Sequence, residues 1–380
     1  MPEPARPSST LDNVARALAR IENEVRLVGR AAPPDFGLEV ARLVREFARA
    51  TRITLGGVRG TPASLGETRR SLARFSAMSD ALGPLGELHA ARARELELEA
   101  RLVEALGTPG LRALAAERFP APAAARAREC DVFVGEALSA PACEPSESHR
   151  SDDYGDPKSL VARLGARARE LGLTLRIDVR RGQVAVAATG HGIVCVRPGA
   201  LLSAHASERI ATHELLAHAL PRARARHAPW ALLAVGTRGA GEHEEGRALV
   251  IEERSGLLDG ERRRSLALRH VSALGVRAGA EPTETLRKLV ELGASVEQAA
   301  ELTLRAHRGG GLGRELVYLP SYFAVRSALA GEPGLERWLE RGRLDLGTAR
   351  RLASGELEWQ PAVSGDARAS AHESSSSTGV

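Results

Sequence analysis

Thr212-His213-Glu214-Leu215-Leu216-Ala217-His218, followed by Gly241-Glu242-His243-Glu244-Glu245-Gly246, is the pair of stretches around which the 380-residue chain organises. The residues just upstream alternate. Leu173-Thr174-Leu175-Arg176-Ile177-Asp178-Val179 has the period of a half-buried strand, Arg181-Gly182 makes a turn, and 183–187 and 193–196 give two more strands. Together these predict a small antiparallel sheet. After Pro198-Gly199 the period becomes helical and runs to Leu220, where Pro221 is expected to stop it. The two histidines therefore fall on one helix that follows a small sheet. They stand five residues apart, about 140° around a regular α-helix, whereas four residues would be about 40°. A regular α-helix would not aim both rings at one point, so the extra residue has to be absorbed, and a π-bulge is the device that does so at functional sites.

Imidazole nitrogen and carboxylate oxygen are donors that zinc accepts, and a catalytic zinc site keeps three protein ligands and one open position. Such a metal lowers the pKa of water to roughly 7, and an adjacent carboxylate can take the proton. His213 and His218 supply two ligands, with Glu214 beside the first. The acidic helix that follows offers Glu242, Glu244 and Glu245 for the third. His243 lies two residues from Glu245, on nearly the opposite side of that helix, and is not expected to join the same ion; His191 and His205 read as structural. Glu252, seven residues beyond Glu245, shares its face and could hydrogen-bond a ligand histidine from behind, or equally form a surface salt bridge. The architecture this implies is α+β and predominantly helical. Its core is zincin-like (gluzincin), with a small antiparallel sheet preceding the zinc-binding helix.

Outward from this centre the chain is mostly helical. Leu11, Val14, Leu18 and Ile21 begin the pattern, and helices follow at about 38–50, 66–82, 86–105, 109–118, 122–138 and 158–171. Beyond the acidic helix, amphipathic segments read at about 261–275, 282–293, 296–307, 314–330 and 333–352. The expected units are a loose N-terminus at 1–10, a helical N-terminal region at 11–139 and a polar linker loop at 140–157. A catalytic core at 158–260, a helical C-terminal region at 261–355 and a disordered tail at 356–380 complete them. Aromatic residues are only 3%, so the core rests on Leu, Val and Ala, which favours helix.

Composition excludes several classes. Lys+Arg 53 against Asp+Glu 48 leaves a net charge of only +5, without the basic patch and stacking aromatics of a nucleic-acid binder. All the basic residues except Lys158 and Lys288 are arginine, a bias that reads as coding composition. No apolar run approaches the roughly 20 residues needed to span a bilayer, and no secretory signal is visible. Cys130, Cys143 and Cys195 form no CxxC pair and no disulfide framework. The expectation is a cytoplasmic protein with no membrane and no nucleic-acid partner.

At these residues the sequence resembles the QEGLA-motif family, which includes flavohaemoglobin expression modulators and microtubule-associated tyrosine carboxypeptidases. That family carries a His-Glu-x-x-x-His helix, read here as HELLAH at 213–218, and a Gly-rich approach, Gly236 to Gly241. Its Gln-Glu-Gly-Leu-Ala appears as Glu244-Glu245-Gly246-Arg247-Ala248. Weaker echoes are Gly107-Thr108-Pro109 and Arg305-Ala306-His307-Arg308-Gly309-Gly310 with Tyr318-Leu319. The resemblance implies one Zn2+ per chain held by His213, His218 and Glu245, with Glu214 as general base. It implies a zinc carboxypeptidase that removes a C-terminal residue from a protein or peptide tail. Arg247 in place of Leu, and Leu216-Ala217 in place of Gly-Thr, depart from the family without touching a ligand or the base.

Arg305 and Arg308 could grip a substrate carboxylate, or could sit at a solvated helix C-terminus. Tyr318 could polarise the scissile carbonyl, or could simply pack. Arg222, Arg224 and Arg226 could draw an acidic tail to the rim of a cleft, or form a solvated basic loop. The competing reading is a non-catalytic helical scaffold with a structural or vestigial metal site. Glu214 argues against it, because a structural site has no use for a general base.

Overall fold

Leu11, Val14, Leu18 and Ile21 fall on one face of the first helix, α1 (Ser9–Val25), and all four are buried. The computed structural model of the protein describes residues 9–49, 52–56, 64–141, 147–190 and 192–358. The loose ends expected at 1–10 and beyond 355 lie outside these residues, apart from Ser9-Thr10, which open α1, and 356–358. His191 and Cys143 lie outside them too.

The N-terminal helices continue with α2 (Leu27–Arg30), α3 (Phe36–Phe47), α4 (Gly66–Asp80), α5 (Gly83–Glu104), α6 (Leu111–Arg118) and α7 (Ala124–Ser139). Asp35 caps α3 by accepting from Leu38 N–H. The stretch 140–157, expected as a loop, carries a strand, β1 (Ser148–Arg150), which pairs antiparallel with β5 (Leu201–Ser203). Its few apolar residues hid it. The segment is anchored instead by polar contacts: buried His149 meets Asp156 at 2.6 Å, and Ser151 Oγ donates to Arg197 O at 2.6 Å.

Ser159 caps α8 (Leu160–Glu170), which leads into β2 (Arg176–Val179), β3 (Ala187–Gly190) and β4 (Ile193–Val196). The three-stranded sheet is mixed, not antiparallel as expected. Its order is β2-β4-β3, with β2 parallel to β4 and β3 antiparallel to it. Because the chain runs up β2, down β3 and up β4, placing β4 in the middle makes the outer pair with β2 parallel. Buried Val194 and Val196 suit β4 for that central position. Residues 183–186 are not strand; the strand begins at Ala187. Leu160, Val161 and Leu164 of α8 pack on Val194 and Val196, and Leu215 closes the same cluster.

After β5 come α9 (Ala204–Thr212), a π-helical segment (His213–Ala219) and α10 (Leu220–Ala225). Pro221 does not end the helix. It occupies the first turn of α10, where the missing N–H is tolerated. Then follow α11 (Leu232–Val235), α12 (Ala240–Arg254), α13 (Gly260–Arg277), α14 (Pro282–Glu291), α15 (Val296–Ala306) and α16 (Arg308–Gly311). A 3-10 turn at Arg314–Val317 enters α17 (Tyr318–Gly331). The helix expected at 333–352 is broken into a 3-10 turn, α18 (Glu336–Leu339) and α19 (Leu346–Ala353), the last capped by Asp345. No helix among the described residues is long and apolar enough to cross a membrane.

The largest core joins the two ends of the chain. Leu18 and Val25 of α1, Leu96 and Val103 of α5, Leu249 and Val250 of α12, and Leu319, Tyr322 and Val325 of α17 belong to it. Helix α12 lies very close to α17 at Gly246, where a Cβ would stand 2.3 Å from Ser321 O. Any side chain there must push the two helices apart, and Glu245 is the neighbouring residue. Gly246→Ala should therefore cost about 1–3 kcal/mol through overpacking, seen as a lower urea midpoint at unchanged m-value.

Candidate metal centre

The five-residue histidine spacing is resolved by the backbone. From His213 to Ala219 the helix is π, so hydrogen bonds run i to i+5, as from Leu220 N–H to Leu215 O. His213 and His218 are thereby brought to one side, with ring centroids 5.1 Å apart. Pro221 has no N–H to offer Leu216 O, its i+5 partner. Arg247 of α12 supplies the missing donor, Nη1 to Leu216 O at 3.2 Å. The departure at 247 thus repairs the wide turn that the ligand spacing requires.

Glu245 enters from α12. Its Oε2 lies 3.5 Å from His213 Nε2 and 4.0 Å from His218 Nε2, and the three donor atoms all lie within 4.8 Å of one another. Ligands about 2.1 Å from a tetrahedral ion stand roughly 3.4 Å apart, so the cluster is close to the size of a metal site. The donor orientation fits as well. His213 Nδ1 meets Glu252 Oε1 at 2.7 Å, which turns Nε2 toward Glu245. Glu252 is itself buried and held by Arg262 at 2.8 and 3.0 Å. The residues present therefore fit a metal ion.

Charge at the centre follows from these contacts. Burial pushes the His213 ring down, but Glu245 and Glu252 outweigh it and raise it to about 9. Burial dominates at His218 and lowers it. Burial would raise Glu245, yet His213, His218 and Arg314 hold it well below the usual carboxylate range. Burial likewise opposes Glu252, and Arg262 with His213 holds it low. Glu214 is buried beside the cluster, and its Oε2 has no hydrogen-bond partner among the described residues. Thr189 of β3 donates to Glu214 O at 3.4 Å, tying the sheet to the π segment.

The residues expected to bind substrate are placed differently. Arg305 and Arg308 are 8% and 4% exposed, neither solvated nor open. Arg305 lies 3.3 Å and Arg308 2.7 Å from Glu315, which is also buried. With one carboxylate between them, they form an internal ion cluster and not a substrate grip. Arg222 donates to Glu244 at 3.2 Å and to Thr189 O at 3.4 Å; Arg224 pairs with Glu340. Neither is a free rim charge. Tyr318 is 7% exposed and accepts from Arg314 Nη1 at 3.5 Å. His243 accepts from Leu346 N–H, away from the histidine pair, and His205 lies 3.1 Å from Asp259.

The residue unforeseen in sequence is Arg314, whose Nη2 donates to Glu245 Oε1 at 3.2 Å. One oxygen of Glu245 is thus held by a guanidinium and the other faces the histidines. Glu22 of α1 is a second such residue. It pairs with Arg343, which also reaches Glu244, so the first helix buttresses the glutamate beside the ligand. Separations of 69 and 321 residues leave no local signal for either pair.

A family model described as microtubule-associated tyrosine carboxypeptidase matches residues 47–358, more than three-quarters of the chain. No curated protein and no solved structure matches it.

Two outcomes test this framework. Arg247→Leu should strand the Leu216 carbonyl and cost about 1–3 kcal/mol in chemical denaturation. Burial pushes Glu315 up, but Arg305, Arg269, Arg308 and Arg314 bring it down to about 2. A depressed carboxylate stabilises the fold above its unfolded value of about 4.5 and loses that contribution as pH falls toward 2. Glu315→Gln should therefore cost about 3 kcal/mol at neutral pH. In unfolding titrations across pH, the gap to wild type should close as pH falls from 4.5 to 2.

Proposed function

The chain belongs to the microtubule-associated tyrosine carboxypeptidase family, and from that premise we propose that it is a zinc-dependent carboxypeptidase with a zincin-like core. The substrate is a protein or peptide tail from which one C-terminal residue is removed, tyrosine by the family's name. The observation that carries the reading is the unpartnered Oε2 of buried Glu214 beside a compact His213–His218–Glu245 donor set. A scaffold with a structural site would gain nothing from that orphaned carboxylate and would close the fourth position with another ligand.

His213 Nε2, His218 Nε2 and Glu245 Oε2 would hold the ion. Zinc there would supply Lewis acidity toward the scissile carbonyl and make water acidic enough to be deprotonated near neutral pH. Glu214 accepts the proton of the attacking water at Oε2 and returns it to the leaving amine. Glu252 keeps the His213 tautomer by accepting from Nδ1, and Arg314 keeps Glu245 from rotating by donating to Oε1. Tyr318 accepts from Arg314 and so stands beside the guanidinium that holds Glu245. Among the described residues β3 pairs only with β4, and Arg222 reaches Thr189 O of that strand. Cys130 and Cys195 are free thiols, in keeping with a reducing cytoplasm as the working compartment.

Purified protein should carry about one zinc per chain, measured by elemental analysis. Glu214→Gln should keep that metal and lose at least about 100-fold in kcat, because it removes the base and not a ligand. Glu245→Ala should lose the metal itself. Peptides digested by the zinc-loaded protein and read by mass spectrometry should lose one C-terminal residue; internal cuts, or none beside an intact metal, would overturn the carboxypeptidase reading.

A further inference from the structure

Two glycine-bearing stretches that the proposed reaction leaves unused meet in space. Gly107, at the turn from α5 to α6, donates its N–H to Gly309 O of α16 at 2.7 Å. Gly309 and Gly310 stand at φ 67° and 106°, the left-handed region that glycine enters without steric cost. Beside these backbones a cavity of about 270 Å³ opens. Gly107, Gly309 and Gly310 give it a wall of bare main chain, and a Cβ on Gly107 would meet nothing within 4 Å. None of His213, Glu214, His218 and Glu245 lines it.

The cavity is apolar within and charged at its mouth. Ala31, Pro33, Leu55, Pro282 and Leu304 supply the apolar lining, and Ala31, Pro33 and Leu304 are buried. Buried His307 lines it too, with Nε2 2.8 Å from Thr285 Oγ1. Burial, with the charge of Arg112 adding to it, pushes this ring down to about 4, so it is a neutral wall near pH 7. Arg308 also contributes to the lining, but its guanidinium is committed to Glu315 and to Arg305 O. The charges left to face a ligand are Arg112 of α6 and Glu281, just before α14. Their side chains are 41% and 54% exposed, and the contact between them is long, 3.2 Å from Arg112 Nη2 to Glu281 Oε1. The second bond of Arg112, Nη1 to Gly279 O, is longer still at 3.4 Å. An ion pair this open contributes little to the fold, and it yields readily to a ligand that answers both of its charges.

Size and charge together define the occupant. Pockets for drug-sized ligands run from about 300 to 1,000 Å³; this one is smaller and has room for a single residue. A guanidinium and a carboxylate side by side complement an anion and a cation held equally close. A free amino acid carries both on one carbon, whereas either end of a peptide offers one of the two. From this match we infer that the cavity is a binding site for a free amino acid with a large apolar or aromatic side chain, separate from the metal centre. The fork of Arg112 takes the α-carboxylate and Glu281 accepts from the α-ammonium. The side chain enters between Leu55, Leu304 and the bare glycine wall, where a polar group would lose water without finding partners. The inference stands on the cavity alone and does not depend on the reaction proposed above.

Isothermal titration calorimetry with L-phenylalanine on the full chain tests it. Phenylalanine should bind at about one per chain with Kd below about 1 mM. Phenylalaninamide lacks the carboxylate, N-acetylphenylalanine lacks the ammonium and glycine lacks the side chain; each should bind at least about tenfold more weakly. Arg112→Gln and Glu281→Gln should each weaken phenylalanine by about that factor. Because both side chains stand half in water, Tm should not move in either variant. Glu245→Ala, which disrupts the metal centre, should leave phenylalanine binding unchanged. Binding that is lost in Glu245→Ala but survives Arg112→Gln places the amino acid at the metal centre and overturns the inference, while leaving the carboxypeptidase reading intact. Equal affinity for phenylalanine and N-acetylphenylalanine reduces the site to an anion contact and overturns it as well. So does a failure of phenylalanine to bind.

Discussion

Everything at the centre depends on one backbone constraint, the extra residue between His213 and His218. Regular α geometry would spread their rings by about 140°, and a shared ion would be out of reach of one of them. The π turn removes that mismatch at the cost of its own ladder. Wide turns leave carbonyls badly served, and Pro221 makes one of them impossible to serve from within the helix. Arg247 closes that gap from α12, the helix that also carries Glu245. Glu245 and the brace for the turn that carries the two histidines therefore sit on one rigid element. Its position in turn depends on Gly246, which lets α12 settle against α17.

A second constraint is electrostatic. An arginine-rich chain that folds into a helical core carries guanidiniums inward with it, and each needs an anion. The structure answers with buried glutamates that each serve several partners. Glu315 takes Arg305 and Arg308, Glu252 takes Arg262, and Glu244 takes Arg222 and Arg343. Such clusters are weak sources of net stability, yet breaking any member is costly. Their use here is positional: Glu252 orients His213, and the segment around Glu315 delivers Arg314 to Glu245.

This division explains what could be read from the sequence. The need for a π turn between His213 and His218 was legible because it is local, fixed by spacing along one helix, whereas Glu245, on another helix, was singled out by the family resemblance. Glu252 was legible by spacing again, seven residues from Glu245. The helices announced themselves through apolar periodicity, as in α1. The β1–β5 ribbon did not, since its order comes from His149 and Ser151 meeting distant polar atoms and not from an apolar pattern. The sheet was mistaken for antiparallel because strand order, unlike strand existence, is decided by which strand packs deepest. The arginines misled for a third reason. A motif shows that Arg305 and Arg308 are present, but their charge is already answered by Glu315, and only the folded chain brings that carboxylate to them.

The same ledger of charges bears on the base role proposed for Glu214. A carboxylate paired with a guanidinium loses proton affinity and makes a poor proton acceptor. In an interior this rich in arginine, pairing would be the default fate of any buried glutamate. Arg222 lies near enough to feel the charge of Glu214, yet it donates to Glu244. Arg262 and Arg314 donate to Glu252 and Glu245. Arg222, Arg262 and Arg314 are thus engaged by other carboxylates, and Glu214 Oε2 is without a partner among the described residues. On this view Glu244, Glu252 and Glu315 do more than neutralise burial. By occupying the guanidiniums, they leave a carboxylate uncommitted beside the donor set, which is the condition the proposed proton transfer sets.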